Sequence, residues 1–133
     1  MRATGTTRGG AILSGLAILF LGFDALGKLI AVPQVIEGTT ALGYPLSTLL
    51  PIGVIELVCL VLYLVPRTTV LGAVLLTGYL GGAVATHLRI GSPLLTHILF
   101  PTYVGTLVWL GLWLRDVRVR VLVPVRQLSI PEE

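Results

Sequence analysis

Four uninterrupted apolar runs constrain this chain more than any other feature. A membrane-spanning helix needs roughly 20 mostly apolar residues to cross about 30 Å of hydrocarbon. The runs extend from about Gly10 to Ile30, from Leu46 to Val65, from Thr69 to Leu88, and from about Leu94 to Leu114. Between them lie short stretches rich in turn formers: Gly38–Pro45, Val65–Thr68 and Arg89–Pro93. The runs are long and continuous rather than alternating, which favours helices over a barrel. Short connections make consecutive helices antiparallel neighbours. The expected fold is therefore all-α: an up-down integral membrane four-helix bundle formed by one domain over 1–133, with a basic tail from 115 to 133.

Composition closes the alternatives. Charged residues are 11% of the chain, against about 25% in an ordinary soluble domain. Mean hydropathy is +0.98. Nine basic and six acidic residues cannot coat a globule of this size. The isoelectric point near 9.5 does not indicate nucleic acid, because no basic patch with polar or aromatic readers accompanies it. The single cysteine, Cys59, rules out an intramolecular disulfide, dithiol redox chemistry and a multi-cysteine metal cluster.

Lys and Arg set the expected orientation. Arg2, Arg8, Arg67, Arg115, Arg118, Arg120 and Arg126 fall on one side, and Lys28 and Arg89 on the other. Both termini are thus expected in the cytoplasm. Trp109 and Trp113, at i and i+4, form an aromatic belt at the inner interface. The first run also has the layout of a signal peptide, with Arg2 and Arg8 before Ala11–Phe23 and Ala25-Leu26-Gly27; the spanning reading is preferred. The alternation of Val/Leu with Arg over Val117–Arg126 predicts a short strand or an extended segment on anionic lipid.

Ionisable groups at membrane depth carry the functional signal, since each costs on the order of 2.5–3.5 kcal/mol to insert and faces the bundle interior. They are Asp24 and Lys28 on the first run, Glu56 on the second, His87 and Arg89 at the end of the third, and His97 at the start of the fourth. The up-down topology places all six in the outer half of the bilayer. The four charges balance there, Asp24 and Glu56 against Lys28 and Arg89. Asp24 and Lys28 are spaced i, i+4 in the favourable acid-first order. Glu56, Cys59 and Tyr63 share one helix face, and Tyr79 and Thr86 another. The inner half offers only Ser14, Tyr63 and Thr106. Pro101 either kinks the fourth helix, freeing the carbonyl of His97, or opens that helix and leaves His97 in a loop. Gly78 and Gly82, with Gly72, Gly81, Ala83 and Ala85, predict the third helix as the packing hub. His87 and His97 on adjacent helices could ligate a haem iron, a reading disfavoured without a second pair, and no ligand spacing supports a metal on His87, His97 and Glu56.

These residues resemble a known family. Phe20-Leu21-Gly22-Phe23-Asp24-Ala25-Leu26-Gly27-Lys28-Leu29 is similar to the first-helix signature of DoxX-like membrane proteins. Leu42-Gly43-Tyr44-Pro45, Ile52-Gly53-Val54-Ile55-Glu56-Leu57, Val65-Pro66 and Gly81-Gly82-Ala83-Val84-Ala85-Thr86-His87-Leu88-Arg89 continue the resemblance over about residues 10 to 115. Where the family carries a Ser-Gly pair before its lysine, Asp24-Ala25 stands here. The resemblance implies a four-helix protein of the cytoplasmic membrane. Relatives look like membrane subunits of oxidoreductase systems, including a thiosulfate:quinone oxidoreductase and complexes with sulfur-transfer and superoxide-detoxifying partners.

Three functional readings follow. The first is the membrane subunit of a quinone-linked redox complex, with a polar pocket of Asp24, Lys28, Glu56, His87, Arg89 and His97 holding the ligand or handling protons. Its electrons would come from a soluble or membrane redox partner, because the chain has no cysteine pair or flavin motif. The second is a non-enzymatic scaffold that recruits a soluble partner through the basic tail. The third is a proton-coupled carrier using Glu56, which at four spans per chain would need a homo-oligomer.

Overall fold

The computed structural model describes residues 4–123. Six α-helices follow in chain order: α1 (Thr4–Leu29), α2 (Pro33–Ala41), α3 (Leu49–Leu64), α4 (Thr69–Arg89), α5 (Phe100–Arg115) and α6 (Val117–Leu122). There are no strands among the described residues. Four helical segments are long and apolar enough to cross a membrane: Gly5–Leu29, Leu46–Leu64, Thr69–Arg89 and Leu94–Arg115. They coincide with the four apolar runs to within a few residues, apart from an α1 that begins nearer the N-terminus.

The spanning helices pack as a square. α1 and α4 each lie against α3 and α5 and face one another across the diagonal. The core is built from Ala17, Leu21, Leu60, Tyr63, Ala73, Leu76, Leu80, Val104, Val108 and Leu112. Outward-facing positions are apolar as well: Ile12, Leu19, Phe23, Ile55, Val58 and Val74 are all exposed. Such a shell would be an aggregation surface in water and is what lipid requires.

The chain turns where backbone chemistry demands it. Ala31 takes a left-handed conformation (φ 54°). Val32 is extended, as suits a residue before proline. Pro33 then opens α2, where its missing N–H costs nothing. α2 occupies part of a region expected to be turn, so the link between the first two spans is a short helix. The start of the fourth run, expected as helix from about Leu94, is less regular than one continuous helix. Leu94–Ile98 forms a π-helical turn, Leu99 breaks it, and Pro101 sits in the first turn of α5. Pro101 therefore starts a helix rather than kinking one, and His97 belongs to the π turn.

Two expectations are corrected. Over Val117–Leu122 the tail is helical, not extended; residues 124–126 of the predicted segment lie outside the described residues. The Asp116 side chain caps α6 by accepting from the Arg118 amide. Val119 is buried in the core and Arg120 Nη2 donates to the Leu114 carbonyl at 3.2 Å. Capping and docking outweigh the alternating pattern. The packing hub expected on the third span holds at Gly72 but not at its glycine pair. A Cβ added at Gly78, Gly81 or Gly82 would meet nothing within 4 Å, whereas one at Gly10 would fall 2.7 Å from the Gly111 carbonyl. Close helix approach occurs between α1 and α5 there, and at Gly72 of α4, which lies directly against the Tyr63 backbone of α3. The Gly78–Gly82 face is open.

Between α4 and α5 that openness becomes an apolar groove of about 830 Å³, lined by Leu80, Gly81, Val84, Pro101, Gly105 and Trp109 among others. Trp109 Nε1 donates to Thr77 Oγ1 at 2.7 Å across α4 and α5.

Candidate functional site

The site grows from one helix face. Asp24 and Lys28 stand one turn apart on α1, and their side chains form an ion pair. Gly53 on α3 brings the second element in: a Cβ there would fall 2.8 Å from Lys28 Cβ. One turn further along, Glu56 meets the ammonium, with Lys28 Nζ donating to Glu56 Oε2 at 2.7 Å. α4 supplies the fourth member. Lys28 Nζ donates to Tyr79 Oη at 3.0 Å, and Tyr79 Oη donates to Glu56 Oε2 at 2.9 Å. Three helices thus converge on one carboxylate oxygen.

Accessibility changes across the cluster. Glu56 is 0% exposed, the Lys28 side chain 11% and the Asp24 side chain 37%. Asp24 is the end that reaches the surroundings and Glu56 the end that does not. Glu56 Oε2 accepts two hydrogen bonds, but its Oε1 is buried without a partner. A buried carboxylate oxygen normally finds a donor. Charge is unbalanced too: two carboxyl groups share one ammonium. A proton, a hydrogen-bond donor or a cation at Oε1 would complete the arrangement.

Arg89 does not supply the missing positive charge. Its Nη2 donates to the Leu42 carbonyl at 2.8 Å. It lines a shallow pocket with Gly43, Tyr44, Ala85 and Thr86, where Tyr44 Oη and Thr86 Oγ1 are 2.9 Å apart. His87 and His97 form a third group, their ring centres 5.7 Å apart. The six expected residues therefore divide into a triad of Asp24, Lys28 and Glu56, a separate Arg89 and a histidine pair. Axial distance causes the division: His87 lies eight residues beyond Tyr79 on α4, about 12 Å along the axis, whereas Tyr79 is level with Lys28 and Glu56. Tyr79 was missed as a site residue, although a hydroxyl so deep in an apolar helix was a signal.

The opposite end of the bundle holds a second network, richer than the sequence suggested. Ser14 Oγ lies 2.9 Å from Tyr63 Oη, which donates to the Val108 carbonyl at 2.9 Å. Arg115 Nε donates to Ser14 Oγ at 3.1 Å, and its guanidinium stacks over the Tyr63 ring at 5.5 Å. It ties α1, α3 and α5 together near the Gly10–Gly111 crossing.

With this geometry in hand, the comparison with known families is decisive. A DoxX-like family model matches residues 12–111. The chain belongs to the DoxX-like family. The match takes in Asp24, Lys28, Glu56, Tyr79 and both histidines, and ends before Arg115 and α6. No curated protein and no solved structure matches the chain. This DoxX-like protein is a multi-pass membrane protein by its four apolar helices and its family.

Proposed function

We propose that this DoxX-like protein is the membrane subunit of a quinone-linked redox complex, seated in the cytoplasmic membrane with both termini in the cytoplasm. The observation that carries the reading is the partnerless, fully buried Oε1 of Glu56 within a lysine–tyrosine–carboxylate cluster at membrane depth. Ionisable groups kept inside a bilayer at this cost are functional by default. Reducing a quinone takes up two electrons and two protons. The electrons come from a redox centre on a partner protein, and the chain's own residues serve the protons. Lys28 and Tyr79 are donors suited to a ring carbonyl, Glu56 accepts from a ring hydroxyl, and Asp24 links Lys28 to the surroundings. The apolar groove between α4 and α5 is a separate surface, lined by none of the four cluster residues.

The test is binding of a short-chain quinone to the purified protein, followed by tryptophan quenching. Glu56→Gln and Tyr79→Phe weaken binding at least tenfold, about 1.4 kcal/mol, while Leu42→Ala leaves it unchanged. Absence of binding to the wild type, or equal binding in both site variants, refutes the reading.

A further inference from the structure

His87 and His97 are ten residues apart and on different elements, a spacing with no ligand signature. The fold nevertheless makes them face each other. α4 ends at Arg89, Gly91 takes a left-handed turn (φ 69°), and Pro93 starts the π turn. In that turn the amides of His97 and Ile98 both reach the Pro93 carbonyl, at 3.1 and 3.2 Å. The result is a ring-centre separation of 5.7 Å with the ring planes at 64°.

The second observation concerns the ring nitrogens. His87 Nδ1 is 3.1 Å from Ser92 Oγ, and His97 Nδ1 is 2.7 Å from Thr96 Oγ1. Each ring is held through the same nitrogen by a neighbouring hydroxyl. Among the described residues neither Nε2 has a hydrogen-bond partner. A hydroxyl can accept from Nδ1–H as well as donate to a bare Nδ1; in the tautomer where Nδ1–H donates to it, Nε2 carries the lone pair and the ring is oriented as metal-binding imidazoles are. Metal–nitrogen bonds of about 2.0–2.1 Å put a ring centre roughly 3 Å from the ion. Two imidazoles on one ion therefore have centres about 5–6 Å apart, the separation found here.

We propose that His87 and His97 form a binding site for one imidazole-preferring divalent transition metal ion, Zn²⁺ or Cu²⁺, at the α4–α5 end of the bundle. The two Nε2 atoms are its protein ligands, and Ser92 and Thr96 are positioning residues that hold the rings. No group of three or more His, Cys, Asp or Glu side chains gathers to hold an ion among the described residues. Water or a ligand from a partner completes the coordination, so the site is an open one. Imidazole selects Zn²⁺ and Cu²⁺ over Mg²⁺ and Ca²⁺, with Cu²⁺ bound more tightly.

The experiment uses the full chain in detergent with any affinity tag removed. Zn²⁺ and Cu²⁺ are titrated by calorimetry, and the Cu²⁺ form is examined by electron paramagnetic resonance. The expected result is one ion per chain, Cu²⁺ tighter than Zn²⁺, and coupling to two imidazole nitrogens. His87→Ala and His97→Ala each lose binding. Ser92→Ala and Thr96→Ala weaken it 10- to 100-fold. Both histidines lie at the end of the bundle, so a thermal melt matching the wild type shows the variants are folded. Glu56→Gln leaves metal binding intact, which separates this site from the quinone reading. No ion bound by the wild type, unchanged binding in the double histidine variant, or a signal with one nitrogen would each overturn the proposal.

Discussion

Replacing Lys28 with methionine tests whether the triad is held as one unit. Met matches the length of the lysine stem, so the change removes charge and donors with little change in volume. Glu56 is 0% exposed and takes two hydrogen bonds on one oxygen, from Lys28 at 2.7 Å and Tyr79 at 2.9 Å. Without Lys28 the carboxylate keeps only the bond from Tyr79. Removing one partner of a buried pair costs about 3–5 kcal/mol. Asp24→Asn gives the contrast. Its side chain is more than a third exposed, and Lys28 retains Glu56, so the cost stays at or below about 1 kcal/mol. Lys28→Met combined with Glu56→Gln leaves a neutral amide that Tyr79 can still bond, and recovers at least about 1.5 kcal/mol of the Lys28→Met loss, within the range for residues in contact. Stability is measured by reversible unfolding in mixed detergent. Equal losses for Lys28→Met and Asp24→Asn, or strictly additive losses in the double variant, would refute the reasoning.

Other outcomes follow from the packing. Gly72→Ala forces α4 away from the Tyr63 backbone and destabilises by about 1–3 kcal/mol. Gly78→Ala and Gly82→Ala, with open space around the added methyl, change stability by less than about 1 kcal/mol, in the same unfolding assay. Tyr63→Phe removes the hydroxyl's bonds to Ser14 Oγ and the Val108 carbonyl, leaves Ser14 its bond from Arg115, and costs about 1 kcal/mol, read by the same unfolding. Trp109→Phe removes the bond to Thr77 Oγ1 and lowers the unfolding free energy by about 1 kcal/mol.

The spans were legible because lipid thickness writes itself into run length, and the Asp24–Lys28–Glu56 contact because topology and charge leave few choices. What remained hidden depends on helix phase and turn geometry. Arg89 fits a charge sum but is bound to the Leu42 carbonyl beyond an unexpected α2. Gly78 and Gly82 have the spacing of a contact motif but sit on an open face; of the glycines used for close approach, Gly53 and Gly72 stand in no glycine pair at that spacing, and Gly10 shares it with Ser14 instead of a glycine. α6 reads as a strand until Asp116 caps it and Val119 finds the core.

The stripe of α3 that joins the two polar ends has a further meaning. Glu56 and Tyr63 are seven residues apart, about 10 Å along the axis, and the buried residues of this face between them are Cys59, a free thiol, and Leu60. A thiol is a poor stepping stone for a proton and Leu60 offers none, so among the described residues no hydrogen-bonded chain joins the Glu56 cluster to the Ser14–Tyr63–Arg115 network. The two polar ends are separate units on one helix, and a substitution in either leaves the bonds of the other in place.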